Sequence, residues 1–213
     1  RLTACCQVPL TYGGGIRTAD EMTEAVQAGA DKVMVNQAFL SRPEIVTEGA
    51  LRLGNQCVVV SLDIQRSSTG ALTVYDYLKK ATVSADPVQL ARRAEELGAG
   101  EIFLNSVDRD GSGQGYDLEA AKQIASSVNI PVTICGGVGH PEHFAPALAI
   151  RNVSAVAAAN FLNFTEHSAT IAKQYLIQKH AAPLRLDSYF DYSDAAFLES
   201  GRLARKDDKD LKE

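Results

Sequence analysis

The sequence predicts an α/β protein, a (β/α) barrel, on three observations. Short β-branched apolar runs alternate along the chain with segments that place apolar residues at three- and four-residue spacing, the helical period. The runs are apolar without alternation, as in parallel strands covered on both faces by crossover helices. The third observation is an internal echo. PLTYGGGIRTADEM from Pro9 resembles PVTICGGVGHPEHF from Pro131, and ADKVMVN ending at Asn36 resembles SAVAAAN ending at Asn160. Offsets of 122 and 124 residues place two copies of a strand, glycine turn, helix, strand unit half a barrel apart. A doubly wound open sheet could also hold six strands, but it has no need of such a repeat.

In chain order, strands are expected at Pro9–Tyr12, Lys32–Asn36, Cys57–Leu62, Glu101–Asn105, Pro131–Cys135 and Ala155–Ala159. Helices are expected between and after them, at Ala19–Ala28, Pro43–Leu53, Pro87–Leu97, Leu118–Val128, Pro141–Ala149 and His167–Gln178. Pro43, Pro87 and Pro141 suit first helical turns, where a missing N–H costs nothing. The pattern breaks after Pro183. Residues 1–182 read as a partial barrel and 183–213 as a charged extension, with six charges among the seven residues from Lys206 to Lys212.

Composition narrows the class. A chain of 213 residues with 46% hydrophobic and 22% charged residues holds one core and is neither disordered nor collagen-like. No run approaches the roughly 20 apolar residues that cross a bilayer, and the first residues lack the order of a secretory signal, so a soluble chain without membrane partners is expected. With 21 basic against 26 acidic residues and a formal net charge of -5, nucleic acid is not an expected partner. Cys5, Cys6, Cys57 and Cys135 form no metal-type CxxC and read as reduced thiols of a cytoplasmic protein. Residue 1 is Arg, so a processed or truncated N-terminus is expected.

Parallel barrels carry their chemistry where strands end and loops begin. Gly13, Gly14 and Gly15 follow one strand, and Gly136, Gly137 and Gly139 follow its repeat. Glycine there either serves turn geometry or lets backbone N–H groups cradle an anion at the start of the next helix. Two such loops, each followed by a strand ending in Asn, fit a ligand with a phosphate at each end. Asp63 closes VVVSLD and Asp110 lies in DRDGSGQGYD, each open to a proton-transfer or ligand role and to a structural one. Lys32 and Glu101 open their strands and face the opposite mouth, as a rim ion pair or as a polar plug across the barrel axis. His140 and His143 lack a third ligand, and no metal is expected.

Together YGGGIRTADE, AGADKVMVN, GNQCVVVSLD, ELGAGEIFLNSVDRDGSGQGYDLE and IPVTICGGVGHPEHF resemble the cyclase subunit of imidazole glycerol phosphate synthase, the HisF family, across about residues 8 to 180. The resemblance implies a (β/α)8 TIM barrel, of which about six βα units, strands three to eight, are present. It implies a lyase without cofactors. Ammonia from a partner glutamine amidotransferase passes along the barrel axis, cleaves a ribulosyl-aminoimidazole ribonucleotide and closes an imidazole ring. The products are imidazole glycerol phosphate, for histidine biosynthesis, and an aminoimidazole carboxamide ribotide. Carried over by position, Asp63 is the general acid, and Asp110, Gly111 and Asn105 contact substrate. Gly14, Gly15, Asn36 and Gln37 line one phosphate site, and Gly136, Gly137, Ala159 and Asn160 the other. Lys32 and Glu101 fall on the ammonia gate, and Asp31 and Gln56 on the face that docks the glutaminase.

The sequence departs from that family in three ways. The strand carrying the general-base Asp and the strand after it would precede Arg1, so the chain reads as a fragment, inactive alone, with two bare sheet edges. Gln37 and Asn160 stand where small hydroxyl residues are usual, and about 27 residues follow the usual end. The last two features resemble paralogues that supply ammonia for amidation of a surface-polysaccharide sugar. A noncatalytic ammonia conduit that scaffolds a glutaminase is a third reading.

Overall fold

Six parallel strands, laid side by side in chain order, form the sheet that organises the protein. The computed structural model describes residue 6, residues 8–83, 85–164 and 168–179, residue 184 and the pairs 196–197 and 203–204. The elements run β1 (Thr11–Gly13), α1 (Ala19–Gln27), β2 (Lys32–Val35), α2 (Gln37–Ser41), α3 (Glu44–Leu53), β3 (Val58–Arg66), β4 (Leu72–Asp76) and β5 (Ala81–Val83). They continue with α4 (Pro87–Glu96), β6 (Glu101–Ser106), α5 (Leu118–Ala125), β7 (Val132–Cys135), α6 (Phe144–Leu148), β8 (Val153–Val156), α7 (Asn160–Phe164) and α8 (Ser168–Gln178). The order β1-β2-β3-β6-β7-β8 is parallel throughout, and the sheet curls as part of a (β/α)8 barrel. Among the described residues β1 pairs only with β2 and β8 only with β7.

One face of the sheet holds the core. Val33, Val35, Val58, Val60, Leu62, Ile64, Ile102, Leu104, Val132 and Ile134 are buried against Met22, Phe39, Ile45, Val46, Ala91, Ile124 and Phe144 from the helices. The other face, the inside of the curl, is half-buried along β2, β6 and β7, where buried and partly exposed residues alternate. Coverage on both faces, expected from the apolar runs, holds only for the first five residues of β3, near the middle of the sheet. Helices cover the outer face, and the inner-face side chains of β2, β6 and β7 lack that cover.

The internal echo is structural. Gly14 and Gly136 both adopt positive φ, 99° and 97°, followed by Gly15 at 80° and Gly137 at 100°. Ile16 and Val138 are then buried alike, and Thr18 and His140 sit as extended N-caps. Each cap is answered three residues on. The Glu21 carboxylate accepts from Thr18 N–H, and His143 Nδ1 accepts from His140 N–H at 3.4 Å and Gly139 N–H at 3.2 Å. Capping therefore occupies the two histidines.

Several expectations need correction. β3 runs on through Arg66, because Ile64–Arg66 pairs with β4, so Asp63 lies inside the ladder rather than at its end. The β4–β5 hairpin and the short helices α2 and α7 add to the expected elements. The last strand, expected at Ala155–Ala159, is Val153–Val156. Asn152, at φ 71°, starts it early by donating to the carbonyls of Ala125, Val128 and Ile130, and the Ala159 carbonyl already accepts from Leu162. The helix from Pro141 opens as a 3-10 turn before α6. In the extension, Ala196–Phe197 pairs antiparallel with Leu203–Ala204; Lys206–Lys212, Cys5 and His167 lie outside the described residues. No helix among the described residues is long and apolar enough to cross a membrane.

Candidate active site

Toward the C-terminal ends of β2, β3, β6 and β7, four inner-face side chains form a row. Asp63 on β3 is in register with Asn105 on β6, which is in register with Cys135 on β7; Asn36 follows β2 on the other side. Asn36 Nδ2 donates to Asp63 Oδ2 at 2.9 Å and Asn105 Nδ2 donates to Oδ1 at 3.1 Å. Burial pushes the Asp63 carboxyl above the ordinary carboxylate value, and the two amide bonds only partly oppose it. Burial also pushes the Cys135 thiol up, and the charges of Asp110 and Asp63 act in the same direction, so it stays a neutral thiol.

A second carboxylate near this rim has the opposite fate. Asp117 caps α5, accepting from Ala120 N–H at 3.1 Å, and Arg66 grips both its oxygens, Nε at 2.6 Å and Nη2 at 2.8 Å. Burial acts to raise the Asp117 carboxyl, but Arg66 and the Ala120 N–H outweigh it and hold the group below its usual value. Arg66 Nη2 also reaches Glu119, Nη1 reaches the Gly70 carbonyl, and the Arg66 N–H donates to Asp108. Asp108 in turn accepts from Ser106 Oγ at 2.9 Å. These bonds tie the hairpin, the loop after β6 and the start of α5 into one unit. The sequence reading missed Arg66, Asp108 and Asp117, although an Asp directly before the apolar run of α5 is a capping signal.

That loop carries Asp110, which is exposed, and Gly111. A Cβ on Gly111 would lie 3.3 Å from Asn160 Nδ2, so the loop reaches α7, and Ala159 and Asn160 are exposed beside it. The two glycine turns differ in their surroundings. Gly14 and Gly15 face open space. A Cβ on Gly136 would lie 2.5 Å from the Ser106 carbonyl and one on Gly137 2.2 Å from the Gly115 carbonyl, where Gly115 N–H also donates to Gly137 O at 2.6 Å. Close backbone packing is thus a sufficient reason for glycine in the second turn. Asn36 Oδ1 and Gln37 Nε2 are buried without a hydrogen-bond partner among the described residues.

Four residues before Asn36 and Asn105, as the first residues of β2 and β6, stand Lys32 and Glu101. At a rise of about 3.3 Å per residue the two levels are about 13 Å apart. Lys32 Nζ meets Glu101 Oε2 at 2.5 Å, and Thr133 Oγ1 donates to Glu101 Oε1 at 2.6 Å. Because β3 lies between β2 and β6, the pair spans the inner face above β3. Asp31 and Gln56 precede β2 and β3 at this same end and are exposed. Asp31 Oδ2 accepts from Leu10 N–H at 2.7 Å, and Gln56 Nε2 donates to the Leu53 carbonyl at 3.3 Å.

The comparisons with known proteins agree with one another. A family model described as histidine biosynthesis protein matches residues 1–168. The imidazole glycerol phosphate synthase subunit HisF of Dehalococcoides mccartyi strain BAV1 is 41% identical over 181 residues, covering 85% of this chain and 71% of that protein. The same subunit of strain CBDB1 matches with the same identity and coverage.

Proposed function

Since the chain belongs to the histidine biosynthesis protein family and is a relative of HisF subunits, we propose that it is the cyclase subunit of an imidazole glycerol phosphate synthase, a lyase of histidine biosynthesis. The observation that carries this reading is the separation of two polar levels on one inner face. Asp63 and its amides stand at one end, the Lys32–Glu101 pair at the other, about 13 Å apart.

In this reading a glutaminase docks at the end marked by Asp31 and Gln56 and delivers ammonia past the ion pair. The ammonia reaches a ribulosyl-aminoimidazole ribonucleotide held across the far rim. Gly14, Gly15, Asn36 and Gln37 take one phosphate; Gly136, Gly137, Ala159 and Asn160 take the other; Asp110 and Gly111 close over the substrate between them. Asp63 is the proton donor: it stands on the inner face with one amide on each oxygen, and burial raises its carboxyl above the ordinary carboxylate value. Cleavage and ring closure yield imidazole glycerol phosphate and the carboxamide ribotide.

A second reading, ammonia supply for amidation of a surface-polysaccharide sugar, is supported by Gln37 and Asn160, amides where small hydroxyl side chains are usual; Asn160 packs on Gly111. The test is to incubate the full-length protein with ammonium salt and the ribulosyl ribonucleotide. Appearance of imidazole glycerol phosphate supports the cyclase. Its absence, in a protein that still binds the glutaminase tightly, rejects it in favour of the paralogue or a conduit.

A further inference from the structure

Asp63 stands between two amides that reach it from different strands, one to each oxygen. The terminal torsion of an aspartate is broad and roughly two-fold, so a carboxylate held through one oxygen still swings. Held through both, from opposite sides, its plane is fixed, and each oxygen keeps one lone pair for a further partner. Asn36 accepts a penalty for this: with its Nδ2 turned to Asp63, its own Oδ1 is left buried and unpaired among the described residues. Asn105 is the register partner of Asp63, so the ladder itself sets the spacing of the second bond.

The other groups around Asp63 leave the amides as its stabilising neighbours. Beyond Asn105, β7 offers Cys135, a neutral thiol, and the loop after β6 offers the carboxylate of Asp110, of the same sign as Asp63. On its own strand Arg66 is committed to Asp117 and Glu119. Lys32 and Glu101 neutralise each other at the far end of the sheet.

We propose that Asn105 is a positioning residue that acts through Asp63, fixing the carboxylate plane together with Asn36 and stabilising its ionised form. The sequence reading assigned Asn105 to the substrate; the geometry assigns its amide to Asp63. The catalytic consequence rests on the reading of Asp63 as the proton donor, but the bond itself does not.

The test therefore needs no substrate. In the full-length protein labelled with 13C-aspartate, the Asp63 carboxyl carbon, identified by its loss in Asp63→Asn, is followed through a pH titration. The parent is compared with Asn105→Ala and with Asn105→Gln, which keeps the amide one methylene further out. The expected result is an upward shift of the Asp63 midpoint in Asn105→Ala, a smaller one in Asn105→Gln, and an unmoved Asp117, which Arg66 holds. An unchanged Asp63 midpoint, or equal movement of Asp117, overturns the proposal. Should Asn105→Ala not fold, Asn105→Gln against the parent decides alone: a midpoint unmoved although the amide is displaced overturns it. A protein that shows the shift yet forms no imidazole glycerol phosphate loses the cyclase reading only; one that turns over with an unmoved midpoint loses only the role of Asn105.

Discussion

Arg66 holds Asp117 through both carboxylate oxygens, whereas Asp63, three residues earlier on β3, is held among the described residues by two neutral amides. The two carboxylates are pushed in opposite directions: Arg66 and the Ala120 N–H hold Asp117 below its ordinary value, while burial, only partly opposed by the amides, raises Asp63 above it.

Replacing Asp63 with Asn is expected to abolish cyclisation while leaving glutaminase binding intact, measured by product formation and by titration calorimetry. Retained turnover removes Asp63 from its role. The same variant has a stability signature with a definite sign. A carboxyl raised in the folded state binds its proton more tightly there than in the unfolded chain, so stability falls as pH rises between the unfolded value of about 3.9 and the raised folded value. Asp63→Asn removes that loss. Its melting temperature should exceed the parent's at pH 7 and converge on it below about pH 3.9.

Arg66→Met leaves the buried Asp117 carboxylate without its cation and should cost about 3–5 kcal/mol in denaturant unfolding. For the parent the sign is opposite to that of Asp63. The depressed Asp117 contributes stability above the unfolded carboxylate value of about 3.9, lost as pH falls through its lower folded value. In Arg66→Met that acid-side loss should disappear. A variant as stable as the parent at pH 7 would show that the grip on the loop is dispensable.

Glu101→Gln breaks the ion pair above β3 while keeping an acceptor for Thr133. Glutamine-driven turnover is expected to fall about tenfold, a barrier change of about 1.4 kcal/mol, with ammonium-driven turnover much less affected. Equal loss with both nitrogen sources would place Glu101 outside the ammonia path.

The two glycine turns should respond differently to alanine. Gly14→Ala meets open space and carries only the left-handed backbone cost, about 1–2 kcal/mol. Gly137→Ala adds a clash with the Gly115 carbonyl and should cost clearly more in the same unfolding assay. Equal costs would contradict the close approach of the Gly115 carbonyl to Gly137.

Much of this protein was legible in its residues. Period and composition determined the alternation of strand and helix, the repeat determined that Gly14 and Gly136 stand at matching places in two like units, and chain direction placed Lys32 and Asn36 at opposite ends of one strand. These properties are local or depend only on connectivity. Tertiary structure alone decided that Lys32 reaches Glu101 above an intervening strand, that Asn105 turns its amide to Asp63, and that Arg66 binds Asp117. Each joins residues at least 40 positions apart, the first two through sheet register and the third through the loop that brings the α5 cap to the end of β3. Register arises from the packing of all the strands together, and no window of sequence contains it.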